Sequence, residues 1–170
     1  GILFYFFDLL ILSNLFINIC VIQVLLFKYF YRINKMDTKI FCDIAELDLI
    51  QKFNKKKIVK GFTTNPTLMR KAGAKDYRSY SKKILKICAT KPVSLEVFAD
   101  EYNEMKKQAL EINTWGKNVY VKIPVTNSKG IFMSKIIHEL NYSNIKLNIT
   151  AVYSSKQVQK ILRSINKKTK

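Results

Sequence analysis

From Lys39 onward, short β-rich runs alternate with segments whose apolar residues recur at helical spacing. Lys39 to Ala45 reads as a strand, followed by a helical run from Glu46 to Lys56. Ile58 to Thr64 is the next strand. Asn65-Pro66 then opens a helix, with Asn at the cap and Pro at the first helical position. Tyr80, Ile84, Leu85 and Cys88 fall on one helical face, and Pro92 to Phe98 reads as a third strand. The helix after it carries Met105, Ala109 and Ile112. Asn118 to Val125 is a fourth strand, and Met133, Ile136, Ile137 and Leu140 follow at i, i+3, i+4, i+7. Lys146 to Tyr153 is a fifth, after which Val158, Ile161, Leu162 and Ile165 repeat the same spacing.

Strand starts separated by about 20–35 residues suit parallel crossovers rather than hairpins. Right-handed crossovers fold such units into a parallel sheet or a (β/α) barrel. A closed barrel takes eight units and typically about 250 residues. The sequence holds five and finishes in Lys167-Lys168-Thr169-Lys170, with no further strand pattern. The expected fold class is therefore α/β, of the (β/α)8 TIM-barrel type, with about the first five βα units present.

A hydrophobic segment precedes these units. Residues 1–35 are dominated by Leu, Ile, Phe, Asn and Tyr, and Asp8 is the single charge before Lys28. Residues 9–27 are long enough to span a bilayer, and Lys28, Arg32 and Lys35 would hold the downstream part on the cytoplasmic side. Asn14, Asn18 and Gln23 count against a lone span. The alternative is non-native upstream translation, since Met36 stands just before the first strand. The division expected is 1–35 as this segment and 36–170 as the barrel part.

Composition narrows the chemistry. The chain has 170 residues and a net charge of +18, and residues 1–36 contribute only Lys28, Arg32 and Lys35 against Asp8. The basic excess thus belongs to the strand-and-helix part, where phosphorylated metabolites, nucleic acid or anionic lipid could answer it. No aromatic-and-basic motif points to nucleic acid, so a lysine-rich solvated surface is the plainer reading. Cys20, Cys42 and Cys88 form no CxxC pattern, and one histidine, His138, rules out His-rich metal sites. The five glycines form neither GxGxxG nor a P-loop. His138 sits mid-helix and is a poor basis for a Ser-His-Asp triad.

Strands buried in a parallel sheet are normally near-continuous apolar runs. Here each is interrupted towards its C-terminal half: Asp43 in the first, Thr63 and Asn65 closing the second, Ser94 and Glu96 on one face of the third. Lys122 interrupts Val119 to Val125, and Asn148 and Thr150 share one face of the fifth. Barrel active sites lie at these strand ends. An ammonium among Val, Ile and Tyr loses hydration, which favours the neutral amine that attacks a ketone to form a Schiff base. The structural alternatives are a lysine snorkelling from an edge strand or paired with Glu96. Asp43 and Glu96 could move protons, the latter through a water, or could simply pair with Lys122. Asn65 before Pro is a sufficient helix cap by itself, and Asn148 and Thr150 could satisfy strand-end backbone.

Taken together, Phe41-Cys42-Asp43-Ile44-Ala45, Gly61-Phe62-Thr63-Thr64-Asn65-Pro66-Thr67-Leu68, Ser94-Leu95-Glu96-Val97, Val121-Lys122-Ile123-Pro124-Val125-Thr126 and Asn148-Ile149-Thr150-Ala151-Val152-Tyr153-Ser154 resemble the transaldolase family, including its fructose-6-phosphate aldolase-like branch. The resemblance runs from about Met36 to the end of the chain. It implies a class I aldolase barrel that needs no metal or other cofactor. Lys122 matches the Schiff-base lysine and Asp43 the acid/base for cleavage of the C3–C4 bond. Asn65, supported by Thr63, matches the group holding donor hydroxyls. Glu96 and Thr150 match the pair that position the water of imine formation and release, and Ser94 and Asn148 would line the same pocket. Glutamate at position 96 favours the transferase over the aldolase branch.

The implied function is transfer of a dihydroxyacetone unit between sugar phosphates. The alternatives are a fructose-6-phosphate aldolase-type lyase, or a non-catalytic barrel remnant held at a membrane through residues 9–27. The family's phosphate-binding Ser and Arg lie on later strands, so the 170-residue chain itself is expected to be inactive or nearly so. The expected partners are sugar phosphates, not nucleic acid. The full-length form is expected to be a cytoplasmic homo-oligomer, or a membrane-anchored protein with a cytoplasmic domain if the N-terminal segment is native.

Overall fold

A computed structural model of the chain describes residues 39–165. The expectations for residues 1–35, with Cys20 and the 9–27 span, and for Lys167 to Lys170 lie outside the described residues. Five strands, β1 (Ile40–Asp43), β2 (Val59–Thr63), β3 (Val93–Glu96), β4 (Val119–Pro124) and β5 (Leu147–Thr150), form one parallel sheet. Their spatial order is their chain order, and the sheet curls into a half-barrel. The crossovers are α1 (Leu47–Asn54), α2 (Pro66–Lys71), α3 (Tyr77–Ile87), α4 (Tyr102–Asn113) and α5 (Ser134–Tyr142), with α6 (Ser155–Ser164) after β5. The fold is thus the partial (β/α) barrel that the alternating pattern predicts. Among the described residues no helix is long and apolar enough to cross a membrane.

The core lies between the helices and one face of the sheet. Val93, Leu95, Val119, Val121 and Ile123 point to that face and are almost fully buried. Ile84, Met105, Ala109, Ile112, Ile136, Ile137 and Leu140 meet them from α3, α4 and α5. Burying one such side chain contributes roughly 1.5–3 kcal/mol, which makes this layer the main source of stability. In β4 the alternation is complete, with Val119, Val121 and Ile123 buried and Tyr120, Lys122 and Pro124 half-buried. The polar residues that interrupt the strands therefore occupy the concave face, where the helices do not reach.

Local chemistry sets the helix ends. Asn65 Oδ1 accepts from Leu68 N at 2.8 Å, with Pro66 at the first helical position. Asp76 Oδ1 does the same for Ser79 N at 2.8 Å, and Ser154 and Gln157 form a reciprocal capping box. Behind α2, Gly73 takes a φ of +88°, a left-handed turn that glycine accepts without cost from a Cβ. At the strand N-termini, Asn118 Nδ2 donates towards Leu85 O, Cys88 O and Lys91 O at 3.3, 3.4 and 3.1 Å. Leu85 and Cys88 lie at the C-terminal end of α3 and Lys91 in the turn before β3, so one amide gathers the helix end and the turn.

Two expectations shift. The strands are shorter than the apolar runs, because ladder pairing stops where the chain turns towards each helix. The stripe on α6 stays largely uncovered: Val158 is 44% and Leu162 52% exposed. Only the α5 side packs extensively against α6, so one helix cannot bury the whole stripe.

Gly61 marks a close approach on the concave face. A Cβ there would lie 2.4 Å from Phe41 Cε1 and 2.8 Å from Pro92 Cγ. Glycine thus lets the Phe41 ring lie over β2. Gly61→Ala should destabilise the chain by about 1–3 kcal/mol through overpacking. Urea denaturation measures this, and an unchanged midpoint would show that Phe41 moves aside freely.

Candidate functional site

The register of the parallel ladders decides which polar side chains become neighbours. Asp43 pairs with Thr63, Thr63 with Ser94, Glu96 with Lys122, Lys122 with Asn148, and Pro124 with Thr150. In-register side chains on one face stand side by side, so the concave face becomes a row of polar contacts.

Lys122 is at its centre. Its Nζ lies 3.3 Å from Glu96 Oε2, and the two side chains are 12% and 23% exposed. β4 has β3 on one side and β5 on the other, so a lysine snorkelling from an edge strand does not describe it. Pairing with Glu96 does. Asp43, separated from β4 by two strands, instead accepts a hydrogen bond from Thr63 Oγ1 at 2.7 Å. Asn148 Nδ2 donates to Ser94 Oγ at 2.9 Å, and Ser94 is 3% exposed.

Six of the eight residues singled out in the sequence thus stand in three direct contacts: Lys122 with Glu96, Thr63 with Asp43, and Asn148 with Ser94. Asn65 uses its side-chain oxygen on the α2 cap. Thr150 is half-buried on the concave side of β5, its carbonyl accepting from Val125 N at 2.9 Å. The next residue, Ala151, has a φ of 57°, a left-handed conformation that costs a non-glycine residue roughly 1–2 kcal/mol. His138 is exposed on α5 with its ring 4.1 Å from that of Tyr142.

A cleft of about 800 Å³ opens on the same face, lined among others by Phe41, Thr63, Ser94, Tyr120 and Asn148. Its lining stops short of Lys122, Glu96 and Asp43, so it occupies the layer nearer the strand N-termini. Tyr120 escaped the sequence reading although it precedes Lys122 by two residues and shares its face; the period of two was enough to find it. Among the described residues no three His, Cys, Asp or Glu side chains converge as metal ligands would. Cys42 and Cys88 are free thiols, and burial pushes the Cys88 thiol up to about 12.

The loops after β3 and β4 are joined. Ser128 N donates to Asp100 Oδ1 at 2.7 Å and Ser128 Oγ to Oδ2 at 2.6 Å. Lys129 Nζ meets Glu101 Oε1 at 2.7 Å. These links fasten the loop that follows the Glu96 strand to the loop that follows the Lys122 strand. Nothing local in the sequence marks them, because the partners lie 28 residues apart.

The fold thus places a lysine–carboxylate contact on the concave face of a half-barrel of parallel βα units. Residues 40–169 match the family model described as Transaldolase/Fructose-6-phosphate aldolase, and the chain belongs to that family. A probable transaldolase of Dehalococcoides mccartyi is 40% identical over 119 residues, which cover 70% of this chain and 53% of that protein. Probable transaldolases of Clostridium kluyveri and Methanococcus maripaludis are 38% and 39% identical, with the same two coverages. The chain spans about half the length of these relatives.

The Ser128 bonds hold the Asp100 carboxyl below the usual carboxylate range. A depressed folded value means that the clamp's contribution is present above the unfolded carboxylate value and is lost as pH falls through the folded one. The hydrogen-exchange protection factor of the Ser128 amide should therefore hold near neutrality and fall in acid. Asp100→Asn should remove that pH dependence; an identical acid profile in the variant would assign the titration to another group.

Proposed function

We propose that residues 36–170 carry the imine-forming part of a transaldolase-type site, which moves a dihydroxyacetone unit between sugar phosphates. The observation that supports this most is the Lys122–Glu96 contact, held inside the sheet and shielded from most solvent. The family match and the relatives named as probable transaldolases support transfer as the reaction class. A carboxylate beside the amine is what imine chemistry requires, because both formation and hydrolysis move protons to and from oxygen.

In this reading Lys122 passes a proton to Glu96, and the freed amine attacks the C2 carbonyl of a ketose phosphate. The carbinolamine loses water as Glu96, acting through a water that Thr150 helps to place, supplies the proton. Asp43 then takes the proton from the C4 hydroxyl. The C3–C4 bond breaks, its electron pair enters the iminium to give an enamine, and the aldehyde leaves. The reverse steps on an acceptor aldehyde complete the transfer. Thr63, bonded to Asp43, keeps that carboxylate turned to the substrate side. Asn65, whose oxygen is engaged in the α2 cap, would offer its amide nitrogen to a donor hydroxyl. Ser94 and Asn148 would line the deeper wall. Side chains and water suffice for every step, with no cofactor in the cycle. The same reading takes the complete protein to be a cytoplasmic homo-oligomer.

In a full-length version, borohydride reduction in the presence of fructose 6-phosphate, followed by peptide mass mapping, should place a reduced adduct on Lys122. An adduct on another lysine, or none, would overturn the proposal. Asp43→Asn should slow C–C cleavage by about 10²–10⁴-fold, the usual worth of a positioned proton acceptor. Glu96→Gln should slow imine turnover instead, and unaltered kinetics in both variants would return the two carboxylates to a structural role.

A further inference from the structure

The end of β3, which carries Glu96, has a gap in its ladder that a distant side chain fills. Between β2 and β3 the bonds run in steps of two: Phe62 N donates to Pro92 O at 2.9 Å and Thr64 N to Ser94 O at 3.1 Å. The next carbonyl in the series is that of Glu96. The donor in step would be residue 66, which is Pro66 and has no N–H. The proline that opens α2 thus deprives the Glu96 carbonyl of a strand partner. Tyr77, the first residue of α3, donates its hydroxyl to that carbonyl at 2.9 Å.

The donor is held firmly. The Tyr77 ring meets Phe98 edge-on, with centroids 5.7 Å apart and planes at 88°, and meets Trp115 at 5.7 Å and 63°. Loss of hydration at the buried hydroxyl raises the phenol well above the ordinary tyrosine value, so it stays protonated and donating. On the other side of the strand end, Val97 N donates to Lys122 O at 3.1 Å. The one peptide group that joins Glu96 to Val97 is therefore tied through its carbonyl to α3 and through its N–H to β4.

We propose that the Tyr77 hydroxyl is the positioning group of the Glu96–Lys122 pair: it replaces the ladder donor that Pro66 lacks and so fixes the strand end from which Glu96 reaches Lys122. Its consequence for catalysis rests on the imine reading of Lys122, whereas the positioning itself does not. Tyr77→Phe removes the oxygen and keeps the ring between Phe98 and Trp115. Freed at that carbonyl, the end of β3 shifts, the carboxylate no longer holds the amine, and Lys122 becomes more reactive.

The test is the rate at which an amine-acylating reagent modifies Lys122 in the full chain at one pH, read by peptide mass with the exposed Lys86 as internal reference. Tyr77→Phe should raise that rate about threefold or more. Glu96→Gln should also raise it, and adding Tyr77→Phe to Glu96→Gln should change nothing further, because the hydroxyl acts through the carboxylate. Trp115→Phe, which loosens the aromatic packing and keeps the hydroxyl, should leave the Lys122 rate at its original value. An unchanged rate in Tyr77→Phe, an equal increase in both backgrounds, or a Tyr77→Phe chain that does not fold would assign the hydroxyl to stability alone and overturn the proposal. Failure of the imine reading is separable: it appears as absent borohydride trapping in an unsubstituted full-length version and leaves the acylation cycle to be judged by itself.

Discussion

Burial of one sheet face under α3, α4 and α5 fixes the register on which every polar contact of the other face depends. Val121 and Ile123 cannot leave the helical layer without exposing apolar surface. Their confinement leaves Lys122 no direction but the concave side. The same holds on β3, where Leu95 is driven under the helices and Ser94 and Glu96 face the other way. A slip of one residue in either strand would invert both faces at once. The lysine and the carboxylate therefore meet because hydrophobic neighbours hold them in step, and their mutual attraction is a secondary term.

That attraction still matters locally. Two charged groups that are mostly shielded from water cost desolvation, and removing one partner is worse than replacing both. Glu96 and Lys122 each limit what can stand opposite the other. The neighbouring contacts are neutral or singly charged: Thr63 on Asp43 and Asn148 on Ser94 satisfy polar groups without adding a second buried pair. The concave face is a graded surface, sheltered at Ser94 and exposed at Asp43. A face of this kind can bind a polar ligand without first breaking a tight salt-bridge network.

Much of this was legible in the chain because it is periodic. Met105, Ala109 and Ile112 fall at helical spacing, and they are the buried residues of α4. Lys122 stood out as one polar residue in a run of Val, Ile and Tyr, and Asn65-Pro66 announced a cap that the structure makes with Leu68. What escaped has no period. Tyr77 reaches a carbonyl 19 residues away, and Ser128 reaches a carboxylate 28 residues back. Such pairs are created by the crossovers, and neither partner's immediate neighbours carry a sign of it. The sequence also offers both carboxylates the same structural role, a pair with Lys122, and only the three-dimensional arrangement separates them: Glu96 is paired with Lys122, whereas Asp43 accepts from Thr63.

Cys88 shows what the helical layer does to a reactive group. It caps the C-terminus of α3, is fully buried and has its thiol pushed up to about 12, while Cys42 on β1 is half-buried. At neutral pH a thiol of that kind is nearly devoid of thiolate and has no path for a reagent. It becomes chemically visible only when α3 lifts from the sheet or the whole domain opens. The protein thus carries its own unfolding reporter: the alkylation rate of Cys88 counts openings of the layer that keeps Lys122 and Glu96 in register.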